Sequence, residues 1–247
     1  MKIRVDIIGL KGGVGKTTIA LNTALYLSKR YKVLYIDKDL LSMGSLILGF
    51  NGLGFNKAIV EGLGNEQYEY KVNNNLTLFK LYSDPVNERE LQHKVKGMGE
   101  KAERAYVDVV SKGYDVIIVD YGRIFRTNDP LVYDEYEMFK KNFPDYTIAA
   151  AGITDAIRND VTDVVKYFLD TINRIKAKPL AFVINMVPQI GDIQKEINQI
   201  VREISEVVKC DILTIPFNEK LVQYANMGEV EEMQKVGKLI ERILSNG

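Results

Sequence analysis

Apolar and β-branched residues gather in short blocks along this chain, separated by stretches with a different rhythm. The blocks Ile3 to Ile8, Val33 to Ile36, Leu76 to Leu81, Val116 to Val119, Thr147 to Ala151, Leu180 to Ile184 and Asp211 to Ile215 have the length and composition of buried strands. Between them apolar positions recur at helical spacing, as in Ala20, Ala24 and Leu27, in Val161, Val164, Val165 and Phe168, and in Ile193, Ile197, Ile200 and Ile204. Strands alternating with helices imply right-handed crossovers, so the pattern predicts an α/β fold with a mainly parallel central β-sheet flanked by helices on both faces. No repeat, linker or low-complexity tract interrupts it, and a single domain over residues 1–247 is expected. Two segments break the rhythm: the Gly-rich stretch from Gly44 to Gly64 and the polar, Tyr-rich stretch from Thr127 to Tyr146. Both follow strand ends that carry acidic residues, where open α/β sheets place their ligand loops.

Composition narrows the chemistry. Lys plus Arg equals Asp plus Glu at 33 each, so any attraction to nucleic acid or membrane has to come from a local patch. The one cysteine, Cys210, excludes an intrachain disulfide and any cluster built from several cysteines of one chain. No apolar run approaches the roughly 18 residues of a spanning helix, and the chain opens on a strand pattern instead of a signal peptide. A soluble, cytoplasmic protein is the expectation.

The sharpest chemical signal is Gly9-Leu10-Lys11-Gly12-Gly13-Val14-Gly15-Lys16-Thr17-Thr18, directly after a strand and opening a helix. Glycines let a loop turn its N–H groups toward an anion, and the following helix adds the positive end of its dipole. In such a loop Lys16 neutralises β- and γ-phosphate charge and Thr17 offers its hydroxyl to Mg²⁺. Asp120, at the end of Val116-Ile117-Ile118-Val119, is an acidic strand end that can hold Mg²⁺ through its water shell. Asp37 and Asp39 flank Lys38 at a second strand end.

Lys11-Gly12-Gly13-Val14-Gly15-Lys16-Thr17-Thr18 resembles the deviant Walker A motif of the ParA/MinD family of P-loop ATPases. The resemblance implies that the loop from Lys11 to Thr18 binds ATP with Mg²⁺, and that Lys11 reaches the partner's nucleotide across a homodimer, much as an arginine finger does in trans. Asp37-Lys38-Asp39 resembles the family's switch I, which gives Asp39 the positioning of the attacking water and a place near Mg²⁺. Asp120-Tyr121-Gly122 resembles the end of Walker B and the start of switch II. Asn185, after Phe182-Val183-Ile184, and Pro216, in Thr214-Ile215-Pro216-Phe217-Asn218 before Ala225-Asn226-Met227-Gly228, resemble the base-proximal segments. The chain departs from the usual pattern at Leu10, at Leu40-Leu41 and at Tyr121-Gly122-Arg123.

What the resemblance implies is an ATP-hydrolysing dimerisation switch of the ParA kind, slow and stimulated by a protein partner, that partitions DNA by binding it without sequence preference at the nucleoid. Arg174, Lys176 and Lys178 are candidate phosphate contacts, although cations also favour helix C-termini without any ligand. The alternatives are a MinD-like ATPase on a membrane surface and a nucleotide-dependent scaffold with very slow turnover. The stripe Val230, Met233, Val236, Ile240 and Ile243 would be the membrane helix, but Glu229, Glu231, Glu232 and Glu241 offset its lysines and arginine, which predicts a helix packed on the sheet. His93 lies in a polar helical stretch and reads as a surface residue; Cys210 reads as a small core residue.

Overall fold

Side-chain alternation in β1 (Lys2–Ile8) sends Ile3, Val5 and Ile7 into one apolar layer and turns Arg4, Asp6 and Ile8 to the opposite face. The computed structural model describes residues 1–83, 85–122, 129–156, 161–224 and 226–245, which leaves Arg123, Thr127 and Ala225 of the segments above outside the described residues. After β1 come α1 (Lys16–Leu27), β2 (Val33–Lys38), α2 (Met43–Ile47), α3 (Phe55–Glu61), β3 (Glu69–Lys71) and β4 (Leu76–Lys80). The chain continues with α4 (Glu88–Gly97), α5 (Glu100–Val110), β5 (Val116–Tyr121), α6 (Pro130–Asn142), β6 (Tyr146–Asp155) and α7 (Val161–Ile175). It ends with β7 (Lys178–Val187), α8 (Gly191–Val207), β8 (Asp211–Pro216) and α9 (Lys235–Ser245).

The strands form one eight-stranded sheet in the order β3-β4-β2-β5-β1-β6-β7-β8, parallel except for β3 against β4. All seven expected blocks are strands. The addition, β3, is three residues long and largely solvent-facing at the sheet edge, too short to carry a periodic signal. The Gly-rich stretch holds α2 and α3, and the Tyr-rich stretch holds α6, which starts at a proline suited to a first helical position. Because β2 and β5 lie to one side of β1 and β6 to the other, the chain reverses direction at β1 and opens a crevice above its C-terminal end.

Two apolar layers clothe the sheet. One contains α1 and α9, with Ile19, Leu21, Val236 and Ile240 buried against Val5, Ile7 and Ile118; the other collects α3 to α8 around Tyr106, Phe139, Phe168 and Ile197. Val230, Met233, Val236 and Ile240 are all buried, and Glu241 accepts from Tyr26 OH and Arg30 Nη1, both at 2.7 Å, which clamps α9 onto α1. The C-terminal stripe is therefore a core face. Among the described residues no helix is long and apolar enough to cross a membrane.

Ile240→Ala should then lower stability by about 2–4 kcal/mol, the transfer and cavity cost of a buried aliphatic side chain, while Arg242→Ala, on the exposed face, should change it by about 0.5 kcal/mol or less. Urea unfolding of both variants checks this; equal losses would contradict the packing of α9.

Candidate phosphate-binding site

The glycine loop joins β1 to α1 at that crevice. Gly13 and Gly15 sit at φ 76° and 89°, in the left-handed region that a residue with a Cβ rarely adopts. At Gly15 the constraint is also steric, since a Cβ there would fall 2.3 Å from Asn185 Nδ2. That amide donates to the Val14 carbonyl at 2.9 Å, so β7 holds the loop from above while Val14 is buried beneath it. Lys16 opens α1 and its Nζ donates to the Lys11 carbonyl at 2.8 Å, spanning the loop.

A cavity of about 650 Å³ lies over this loop, the size of a small-ligand site. Gly12, Gly13, Gly15, Lys16, Thr17, Thr18, Asp39, Asn185 and Pro216 line it, so most of the residues singled out from the sequence meet around one space. Lys11 stands at the edge with Nζ 3.5 Å from Asp155 Oδ1 at the end of β6. Tyr121, Gly122, Met186 and Phe217 are among its other wall residues. Met186 has φ 54° where the register of β7 and β8 shifts, which marks a strained turn at the wall of the cavity.

Behind the lining, Asp37 and Asp120 are direct partners in the β2–β5 ladder, and both are completely buried. Ser45 donates to Asp37 Oδ2 through its N–H at 2.7 Å and its hydroxyl at 2.6 Å, and the Asp39 N–H donates to Oδ1 at 3.2 Å. Even so, burial pushes the Asp37 carboxyl up to about 6. Asp120 fares worse. Tyr35 OH donates to its Oδ2 at 2.8 Å, Oδ1 has no hydrogen-bond partner, and burial followed by the neighbouring Asp37 raises this carboxyl to about 8, with Thr17 and Tyr35 opposing the shift. A buried orphan carboxylate oxygen beside a second carboxylate and the Thr17 hydroxyl is an all-oxygen donor set of the kind a hard divalent cation such as Mg²⁺ prefers. Among the described residues no three acidic, His or Cys side chains are grouped to hold an ion alone. The arrangement suits an ion that takes its remaining ligands from water and phosphate.

Sequence reasoning missed several of these residues. Tyr35 reads as one more apolar strand position, and only its place two residues before Asp37, on the same face of β2, links it to the site. Asp155 and the strut role of Asn185 depend on contacts distant in sequence. Gly122 departs from the family pattern, and the structure shows close approach there, because a Cβ would lie 2.6 Å from Asp39 Oδ1. His93 is exposed on α4, and Cys210 is half-buried, its thiol raised to about 11 by burial, far from nucleophilic character.

A family profile described as the CobQ/CobB/MinD/ParA nucleotide binding domain matches residues 5–231. The chain belongs to this family. Solved members share its architecture: apo McdA from Cyanothece superposes with a TM-score of 0.71 at 19% identity, covering 99% of this chain and 100% of that one. A putative plasmid partition protein from Borrelia burgdorferi bound to AMPPNP gives 0.68 at 19% identity, with 100% and 99% covered. MinD from Pyrococcus horikoshii with Mg-ADP gives 0.64 at 19% identity, with 98% and 96% covered. Identities this low establish a common fold. No curated protein matches by sequence.

The raised Asp120 carboxyl has a consequence for stability. An unfolded aspartate releases its proton near pH 4, whereas the folded one holds it to about pH 8, so stability falls as pH rises across that window and the full penalty is present above it. Asp120→Asn removes the penalty. In nucleotide-free protein it should raise Tm by about 5 °C or more at pH 8, and the gap should close toward pH 4. Scanning calorimetry across that range tests the sign; a destabilised variant at pH 8 would contradict it.

Proposed function

We propose that this chain is an ATP-dependent switch of the partition type: it binds ATP with Mg²⁺, dimerises in that state and hydrolyses the nucleotide slowly, with a protein partner stimulating turnover. The observation that carries this reading is a lysine-bearing phosphate loop lining one cavity, with a buried aspartate pair behind that lining in which Asp120 keeps an oxygen without a hydrogen-bond partner. Similar folds have been solved with ATP, with AMPPNP and with Mg-ADP, which supports the same ligands here.

In this reading the N–H groups from Gly12 to Gly15 and the start of α1 face the phosphates, with Thr18 finishing the lining. Lys16 exchanges its intraloop bond for the β- and γ-phosphates. Mg²⁺ supplies charge neutralisation at those phosphates, and Thr17 with Asp120 is the pair that would hold it and its waters, with Asp39 nearby. Asp39, half-buried at the cavity wall, orients the attacking water. Lys11 serves the partner's site, as Asp155 serves Lys11 in the lone chain. Asn185 and Pro216 bound the base end; one N–H of the Asn185 amide is used on Val14, which leaves its second N–H and Oδ1 for the base.

DNA is the surface we favour. Among the described residues, Arg174, Lys176 and Lys178 are exposed and form no ion pair, whereas Lys2, Lys140 and Lys141 are matched by Asp145, Glu137 and Glu103. These three cations lie where α7 ends and β7 begins, at the opposite end of the strand from Asn185. A nucleotide-dependent dimer would carry two copies of this patch, which couples duplex binding to nucleotide state. The membrane alternative loses its helix, because the α9 stripe is buried.

Three substitutions separate the parts of this reading. Lys16→Ala should weaken ATP binding by about a hundredfold or more, and calorimetry showing unchanged affinity would remove the site assignment. Lys11→Ala should keep ATP affinity while losing ATP-dependent dimerisation, and Asp39→Ala should keep both while slowing turnover by about tenfold or more.

For the surface, mobility shifts on unrelated duplexes should show binding that weakens steeply with salt, with a log–log slope of about 0.9 per phosphate neutralised. Replacing Arg174, Lys176 and Lys178 by Ala should flatten that slope and leave ATP binding intact. No shift at low salt with ATP, ADP or no nucleotide would return the choice to a membrane surface or a scaffold.

A further inference from the structure

The face of the sheet opposite the P-loop carries a buried ion cluster that the nucleotide-switch reading does not use. Alternation creates it: Asp37 and Asp120 point to the α1 side, so their chain neighbours Lys38 and Tyr121 point to the α6 side, as do Arg4 and Asp6 of β1. There they meet Glu135 of α6. Arg4 Nη1 and Nη2 donate to Glu135 Oε1 and Oε2 at 2.7 and 2.9 Å, Lys38 Nζ donates to Oε2 at 2.9 Å, and Tyr106 OH of α5 donates to Oε1. Arg4 Nε donates to Asp6 Oδ1 at 2.8 Å, Arg4 Nη2 donates to Tyr121 OH at 3.1 Å, and the Lys38 ammonium stands 4.8 Å from the centre of the Tyr121 ring. Arg4, Asp6, Lys38, Tyr121 and Glu135 are all buried.

Stability alone is a poor reason to keep such a cluster, because buried ion pairs are often matched or bettered by apolar residues of similar volume. Its connections suggest another. Lys38 is the peptide neighbour of both Asp37 and Asp39, and Tyr121 is that of Asp120 and of Gly122, whose backbone abuts Asp39. A displacement of either side chain is passed to an acidic loop through a single Cα–Cα step of about 3.8 Å. One carboxylate on α6 thus sets the position of both strand ends that face the nucleotide.

We infer that Glu135 is a positioning residue for the nucleotide site, fixing Asp39 through Lys38 and Asp120 through Arg4 and Tyr121, and coupling the state of the site to α6. The inference rests on the ATP-switch reading above. Coupling of this kind is reciprocal, so a ligand that shifts the acidic loops changes α6, and anything that holds α6 changes the loops.

The test is Lys38→Met, which keeps an unbranched side chain beneath Tyr121 and leaves the bidentate Arg4–Glu135 pair in place. Hydrogen exchange is followed in parent and variant, with and without a non-hydrolysable ATP analogue and Mg²⁺, together with ATP affinity and single-turnover hydrolysis. The parent should show analogue-induced changes both in the P-loop and at residues 134–142. In K38M the P-loop protection and ATP affinity should persist within about threefold, the response at 134–142 should be lost, and hydrolysis should slow by about tenfold or more at unchanged KM. E135Q should lose the same response, and the double variant K38M/E135Q should hydrolyse no more slowly than the slower single variant, since both remove one connection. A K38M protein that answers at 134–142 as the parent does overturns the inference, as does a parent protected at the P-loop but silent in α6. A parent with no Lys16-dependent protection at the P-loop sinks the ATP reading itself and this inference with it, an outcome the first two do not resemble.

Discussion

Parallel pairing of β2 with β5 sets Asp37 level with Asp120, and much of the site follows from that one register. Two carboxylates side by side in the interior repel each other and lack water, so each needs compensation. Asp37 finds it in the Ser45 and Asp39 backbone and the Ser45 hydroxyl; Asp120 finds it in part, from Tyr35 and Thr17, and keeps an oxygen without a hydrogen-bond partner. The P-loop on the neighbouring strand supplies the opposite character, a turn of glycine backbone and a lysine at a helix start. The site is built as two halves, each incomplete, and a magnesium–triphosphate group has the charge distribution to complete both.

The same register fixes the other face. A strand that delivers an aspartate to the P-loop side delivers its neighbour to the α6 side, so the central strands cannot present acidic residues above without deciding what lies below. Here what lies below is charged as well. In the cluster beneath, two cations, two carboxylates and two tyrosine hydroxyls answer one another, with Arg4 and Lys38 holding Glu135 well below the usual carboxylate range, while Asp6 keeps one buried oxygen without a hydrogen bond and burial raises its carboxyl. Burial of this kind is tolerable when donors and acceptors match. The Arg4–Glu135–Lys38 ion pairs of this layer give the upper loops a base against which to move.

This division explains what the sequence disclosed. The strand blocks and the P-loop are local signals: apolar runs of the right length, and a glycine–lysine spacing whose chemistry needs no distant residue. Asp39 and Asp120 were legible for the same reason, each lying at the end of a run. The helix α6 was not, because its inner face carries Glu135, Tyr136 and Phe139 instead of an aliphatic stripe, and a buried glutamate reads as a solvent position until its partners from β1 and β2 are known. Asn185 was found for its place at a strand end, but its bond to Val14 belongs to a contact between residues 171 positions apart, which no spacing rule reaches. Arg174, Lys176 and Lys178 were legible as cations and not as a location, since only the sheet shows that they sit at the far end from the nucleotide.

The two polar layers also differ in what a ligand can gain from them. The Glu135 carboxylate offers little to an incoming group, because Arg4, Lys38 and Tyr106 already occupy its oxygens. The Asp37–Asp120 pair is the reverse: in the folded chain it is held with raised proton affinity and an unmatched oxygen, a state that costs stability as pH rises. A cation delivered with phosphates removes that cost and adds its own bonds, so part of the binding free energy is strain already present in the free protein. Residues that are least favourable for the fold are thereby the ones through which a nucleotide can act on it, and the ion-paired layer beneath them is where a change would be carried onward.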